Sequence, residues 1–114
     1  MTSKTLFGPT TVPLGDDEYT LTPTLGAVRA IEARFGGLRP ALDGLGALSI
    51  DACATIIVAG ADLGPKEAKL VPDAVFECGV GEVTAQVIPY VVALLNPSQA
   101  KEEDQGNVKK VQTK

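Results

Sequence analysis

The segment from Ile50 to Ala61 constrains the fold most strongly, because it is apolar on nearly every side of a helix. Asp51 is its only charged residue, and Ser49 before it can cap the free N–H groups of a helix N-terminus. A helix that is apolar all round has to be buried. A chain of 114 residues is long enough for one hydrophobic core, so this helix is predicted to form its centre.

A β-hairpin is predicted on the N-terminal side of this helix. Polar and apolar residues alternate from Thr10 to Leu14 and again from Tyr19 to Leu21, and the intervening residues favour a turn. Pro13 cannot donate a hydrogen bond to a neighbouring strand, so the first strand should lie at an edge. The apolar face of the hairpin is expected to pack on the helices, because an isolated hairpin is only marginally stable.

Apolar residues at three- and four-residue spacing predict further helices. Thr22 is expected to cap the first of them, with Pro23 at its first helical position and Gly36 at its end. Residues 38–45 predict a short helix that two glycines weaken. Residues 74–78 predict another, after a solvated stretch that contains Lys66 to Lys69.

A last helix is predicted between Gly81 and Asn96. Pro89 is expected to kink or split it, because proline removes a backbone hydrogen bond and clashes with the preceding turn. A β-strand over Val87 to Val92 is the alternative. The predicted fold class is therefore mainly α, a small helical bundle preceded by an N-terminal β-hairpin. This domain covers residues 1–97, and a disordered, charged C-terminal tail covers residues 98–114.

The composition argues against an enzyme or a metalloprotein. Histidine, the commonest general base and transition-metal ligand, does not occur in the chain. Cys53 and Cys78 lie in apolar helical stretches and are expected to be buried thiols rather than nucleophiles. The acidic turn Asp16–Glu18 lacks the spacing of a calcium loop. The two Gly-x-Gly sequences, at 44–46 and 79–81, are expected to be turn and cap glycines. No catalytic, cofactor or metal site is predicted.

Charge and hydropathy favour a protein of the cytoplasm. The formal net charge is −4 and the basic residues are scattered, whereas a nucleic-acid-binding protein gathers them on one face. The apolar run from Val87 to Leu95 is about half the length of a membrane span. The N-terminal pair Leu6–Phe7 is too short for a signal peptide. We therefore expect neither a nucleic acid nor a membrane as a partner.

The apolar run in the last helix is also a candidate surface for binding another protein. Core packing explains the same residue types, but a small domain can leave part of such a helix for a partner. The predicted contact residues are Tyr90, Val91, Leu94 and Leu95. Assembly into a homo-oligomer through the same helix is compatible with this pattern.

The order of these features resembles a known family. The hairpin leads directly into Tyr19–Gly36, YTLTPTLGAVRAIEARFG, where a strand is followed by a helix of the form L-G-A-hydrophobic-x-x-hydrophobic-E. This stretch is similar to the opening of the tail assembly chaperone-like family of gene transfer agents, tailed phages and prophages. The buried helix, the break at Gly64–Pro65 and the final helix continue the pattern, so the resemblance covers about Val12 to Pro97.

The resemblance implies a non-catalytic assembly factor of the host bacterial cytoplasm. Such a factor binds the long tape-measure protein, keeps its hydrophobic segments from aggregating, and helps to recruit tail-tube subunits. The expected partners are therefore a tape-measure protein and a tail-tube protein. A structural minor tail or connector subunit of the virion is the alternative. A small enzyme or ligand-binding domain built on the acidic turn is a third hypothesis.

Overall fold

The computed structural model describes residues 8–96, which form an antiparallel hairpin followed by a helical bundle, as predicted. The elements in chain order are β1 (Thr10–Leu14), β2 (Asp17–Leu21), α1 (Leu25–Phe35), α2 (Leu38–Gly46), α3 (Ile50–Ala61), α4 (Pro65–Ala68), α5 (Val71–Cys78) and α6 (Val80–Leu95). The predictions for residues 1–7 and 97–114, including the signal-peptide argument and the C-terminal tail, lie outside the described residues.

The helix α3 is the centre of the fold, as predicted. Its N-terminus is capped by Ser49, whose Oγ accepts a hydrogen bond of 3.1 Å from the Ala52 N–H. It packs on α1, α2, α5 and α6 and on the strand β2. Its buried residues are Ala52, Cys53, Ala54, Ile56, Ile57 and Gly60. The hairpin and helices α1, α2, α5 and α6 therefore share one core around this helix, whereas α4 buries no residue.

The hairpin turns at Gly15 and Asp16 and lays one face on the bundle. Gly15 has a φ of 67°, which suits the first position of a two-residue hairpin turn. Pro13 lies opposite Glu18, next to the Leu14–Asp17 pair that closes the turn. Hydrogen-bonded and non-hydrogen-bonded pairs alternate along an antiparallel ladder, so the Pro13 position needs no N–H toward β2. The inner face consists of Val12, Leu14, Tyr19 and Leu21. Among the described residues β1 pairs only with β2, so the prediction that the first strand lies at an edge is confirmed.

The cap of α1 differs from the prediction. Thr24 caps this helix, because its Oγ1 accepts a hydrogen bond of 3.1 Å from the Ala27 N–H. The prediction of Thr22 as the cap, with Pro23 at the first helical position, is therefore wrong. Thr22 is held outside the helix by its own backbone, since its N–H donates to the Gly60 carbonyl at 3.0 Å.

Replacing Thr24 by alanine is expected to lower the free energy of unfolding by about 1 kcal/mol, because an N–H group of the first turn loses its acceptor. Thr22→Ala is the matched control and should cost much less, since that hydroxyl does not cap the helix. Urea unfolding of both variants measures the difference. An equal loss in the two variants would contradict the assignment of the cap.

Some helices extend further than the sequence suggests. The predicted solvated stretch contains the short helix α4, and α6 begins at Val80, so that Gly81 lies in its first turn. Gly44 lies inside α2 rather than in a turn, and a Cβ there would stand 2.9 Å from the Ala52 Cβ.

Pro89 lies within an unbroken α6, so the splitting of this helix and the β-strand alternative are both wrong.

Candidate functional site

The predicted contact residues on α6 mostly face the core. Tyr90 and Val91 are fully buried and Leu94 is 8% exposed, whereas Leu95 is 40% exposed. The reason is helical periodicity, because these three positions share the side of α6 that packs on α2, α3 and β1. Three of the four predicted contacts are therefore unavailable to a partner in this fold, and the prediction needs correction.

Tyr90 connects three parts of the fold at one point. Its hydroxyl donates a hydrogen bond of 2.7 Å to the Thr22 carbonyl, and the Thr22 N–H donates to the Gly60 carbonyl at 3.0 Å. A Cβ on Gly60 would lie 3.0 Å from the Leu21 Cβ and 3.1 Å from the Tyr90 hydroxyl oxygen. The absence of a side chain at Gly60 thus lets α3, α6 and the end of β2 approach closely. This is a structural role.

The buried Tyr90 hydroxyl is expected to make stability fall at alkaline pH. Burial raises the pKa of Tyr90 to about 12, compared with about 10 in an unfolded chain. The folded state holds the hydroxyl proton more tightly than the unfolded state does. The contribution of this hydroxyl to the free energy of unfolding is therefore fully present below about pH 10. It is lost as the pH rises from about 10 to 12, by up to roughly 2–3 kcal/mol.

Urea unfolding midpoints across this pH range measure the effect, with Tyr90→Phe as the comparison. This variant should lose that part of the pH dependence. The part that arises from Tyr19 should remain, since burial, Asp17 and Glu67 raise the pKa of Tyr19. A Tyr90→Phe profile as steep as that of the wild type would contradict this account.

The opposite side of α6 is exposed and apolar. Ala85, Pro89, Val92 and Leu95 recur at three- and four-residue spacing, and all four are exposed. We call these residues the outer face of α6. Val92 is 43% exposed, and α6 has no charged side chain after Glu82. The outer side of a helix on a globular protein is usually polar, so this face is a candidate protein-binding surface.

Pro89 adds a polar feature to the outer face. Proline has no N–H, so the Ala85 carbonyl, four residues earlier, does not receive the usual helical hydrogen bond from position 89. Both residues are exposed. The outer face therefore combines apolar side chains with a backbone acceptor that the regular helical pattern does not pair.

Helices α5 and α6 carry acidic side chains but no basic ones. From Leu70 to Asn96 the charged residues are Asp73, Glu77 and Glu82, and all three are exposed. Leu70 and Phe76 in the same stretch are 62% and 70% exposed. Helices α5 and α6 thus present large apolar side chains and carboxylates without any lysine or arginine.

A concave surface, separate from the outer face, runs between α1 and α3. Two neighbouring hollows of about 460 and 510 Å³ share Ala30, Val58 and Ala59 in their lining. Small side chains form most of both linings, and Arg34 and Asp51 lie at the end nearer the N-terminus of α3. This groove can accept part of another chain, but its charges are mixed and do not favour a particular partner.

The groups considered for chemistry do not assemble into a site. Cys53 is buried, and burial raises the pKa of its thiol, an effect that the Thr84 hydroxyl partly offsets. That contact is weak, because the Thr84 Oγ1 finds no hydrogen-bond partner of ordinary geometry among residues 8–96. In the same residues no group of three or more His, Cys, Asp or Glu side chains is placed to hold a metal ion, and Asp16–Glu18 is an exposed turn.

Comparisons with known proteins give no match: no family model, no curated protein and no solved structure is similar to the chain at a significant level. The family resemblance therefore stays a prediction. Within residues 8–96, no single helix is long and apolar enough to cross a membrane. Residues 65–78 and α6 reach the length and hydropathy of a membrane span only when they are taken together, and a bend of 118° separates them.

Proposed function

We propose that the protein is a non-catalytic tail assembly chaperone that binds a tape-measure protein in the host bacterial cytoplasm and helps to recruit tail-tube subunits. The observation that carries this proposal is the outer face of α6, which is apolar, uncharged and exposed on a folded scaffold. A protein that shields hydrophobic segments of another chain needs such a surface.

The architecture supports the same proposal. The resemblance rests on a hairpin that leads into a helix beginning Leu25-Gly26-Ala27, then on a buried helix, a break and a final apolar helix. The structure has these elements in this order, from β1 to the end of α6 at Leu95. This order of elements supports the proposal.

The size of the outer face suits a partner that is bound and later released. Val92 and Leu95 are its large side chains, and each is already more than half covered by the fold. Burying the remainder contributes roughly 25 cal/mol per Å² of apolar surface, before the cost of association is subtracted. Such small interfaces are typical of transient complexes. An assembly factor has to leave once the tail is built, so weak binding is appropriate.

Co-expression with the tape-measure protein tests the proposal. The soluble yield of the tape-measure protein should rise when this protein is present, and a tagged copy should recover it from lysates, as identified by mass spectrometry. An unchanged soluble yield would count against a chaperone. Recovery of the protein at stoichiometric levels in purified particles would instead establish the structural minor tail or connector subunit.

A further inference from the structure

We propose that the outer face of α6 receives a basic amphipathic helix, with an apolar stripe of about three turns and a lysine or arginine at each end of the stripe. The inference rests on the proposed function, because it names the chemical class of tape-measure segment that this surface binds. The length of the face and the charges around it carry the argument.

The outer face determines the length of the stripe. Ala85 and Leu95 are 10 positions apart in one continuous helix, which corresponds to about 15 Å. All exposed positions of the face between them are apolar. A partner helix that lies along α6 therefore covers the face with about three turns of apolar side chains.

The N-terminal end of the outer face favours a positive charge at one end of the partner's apolar stripe. Glu82 is exposed in the first turn of α6, and Glu77 is exposed in the last turn of α5, three residues before α6 begins. Helices α5 and α6 themselves contain no lysine or arginine. A cation on the partner is attracted to this end, whereas a carboxylate is repelled.

The C-terminal end of the outer face favours a cation as well. The last turn of α6 contains no lysine or arginine, so no side chain of that turn compensates the negative pole of the helix dipole. A basic residue of the partner beside Leu95 supplies that charge. Both ends of the face thus select basic flanks, and the centre selects apolar side chains.

Two synthetic helical peptides of about 16 residues test the inference. They share one apolar stripe and differ only in carrying lysine or glutamate at both ends. Calorimetric titration at low salt should show the lysine peptide binding about five-fold tighter or more, with the ratio shrinking as salt is added. Glu82→Gln should reduce the ratio, whereas the control Glu32→Gln on α1 should leave it unchanged.

Equal affinities, a preference for the glutamate peptide, or no binding of either peptide would overturn the inference. Failure of both peptides together with a wild-type dimer that Val92→Asp converts to a monomer would show that a second copy covers the face. The proposed function has a separate readout in the recovery of the tape-measure protein. If that recovery succeeds while the peptides fail, only the chemistry assigned to the bound segment is overturned.

Discussion

Replacing Tyr90 by alanine is expected to lower the free energy of unfolding by about 3–5 kcal/mol, as for other large aromatic side chains removed from a core. Tyr90 is fully buried, and its loss leaves both a cavity and a Thr22 carbonyl without the hydroxyl that now donates to it. Domains of this size are stable by roughly 5–15 kcal/mol, so this loss should shift the unfolding midpoints clearly to lower temperature and lower urea concentration.

Val92→Ala is the matched control on the same helix. This side chain is 43% exposed on the outer face, so its truncation should change stability by less than about 1 kcal/mol. Thermal and urea unfolding of the two variants measure the contrast. A Tyr90→Ala variant as stable as the wild type but defective in binding would place Tyr90 in the interface and contradict the fold described for α6.

Val92→Asp is expected to weaken binding of the tape-measure protein by roughly 30-fold or more, which corresponds to about 2 kcal/mol. The aspartate places a carboxylate in the middle of an apolar interface, where it loses water and gains no partner. The fold should survive, because position 92 is exposed in the monomer. Circular dichroism and the unfolding midpoint verify this before binding is measured.

Ala33→Asp is the control for the added charge. Ala33 is exposed on α1 and does not belong to the outer face, so its variant should bind like the wild type. Titration of a purified tape-measure segment with the wild type and both variants gives the comparison. Equal weakening in the two variants would indicate a general effect of negative charge rather than an interface at Val92.

Local sequence signals were sufficient for most of the architecture. The apolar stretch behind Ser49 predicts a buried helix, and alternation around Gly15 predicts the hairpin, because each signal depends on neighbouring residues. The cap of α1 was not predictable in this way. Thr22 and Thr24 are both suitable caps by residue type. The choice between them depends on two hydrogen bonds of the Thr22 backbone. Its N–H donates to the Gly60 carbonyl, and its carbonyl accepts from the hydroxyl of Tyr90, a residue 68 positions away.

The two sides of α6 could not be assigned from residue types. Val91 is buried and Val92 is exposed, although the two residues are identical and adjacent. Only the positions of the other elements decide which side meets the core. One sequence signal did point to the outer face, since α6 carries no charge after Glu82 although one side of a helix in a small domain has to face solvent.

The most direct test of the account is photo-crosslinking from the outer face during tail assembly. A photoreactive amino acid is introduced at Val92, and at Ala33 as the control, and the crosslinked proteins are identified by mass spectrometry. We predict a crosslink from position 92 to a segment of the tape-measure protein and none from position 33. A crosslink from position 33 to the tape-measure protein, with none from position 92, would contradict the assignment of the outer face as the binding surface.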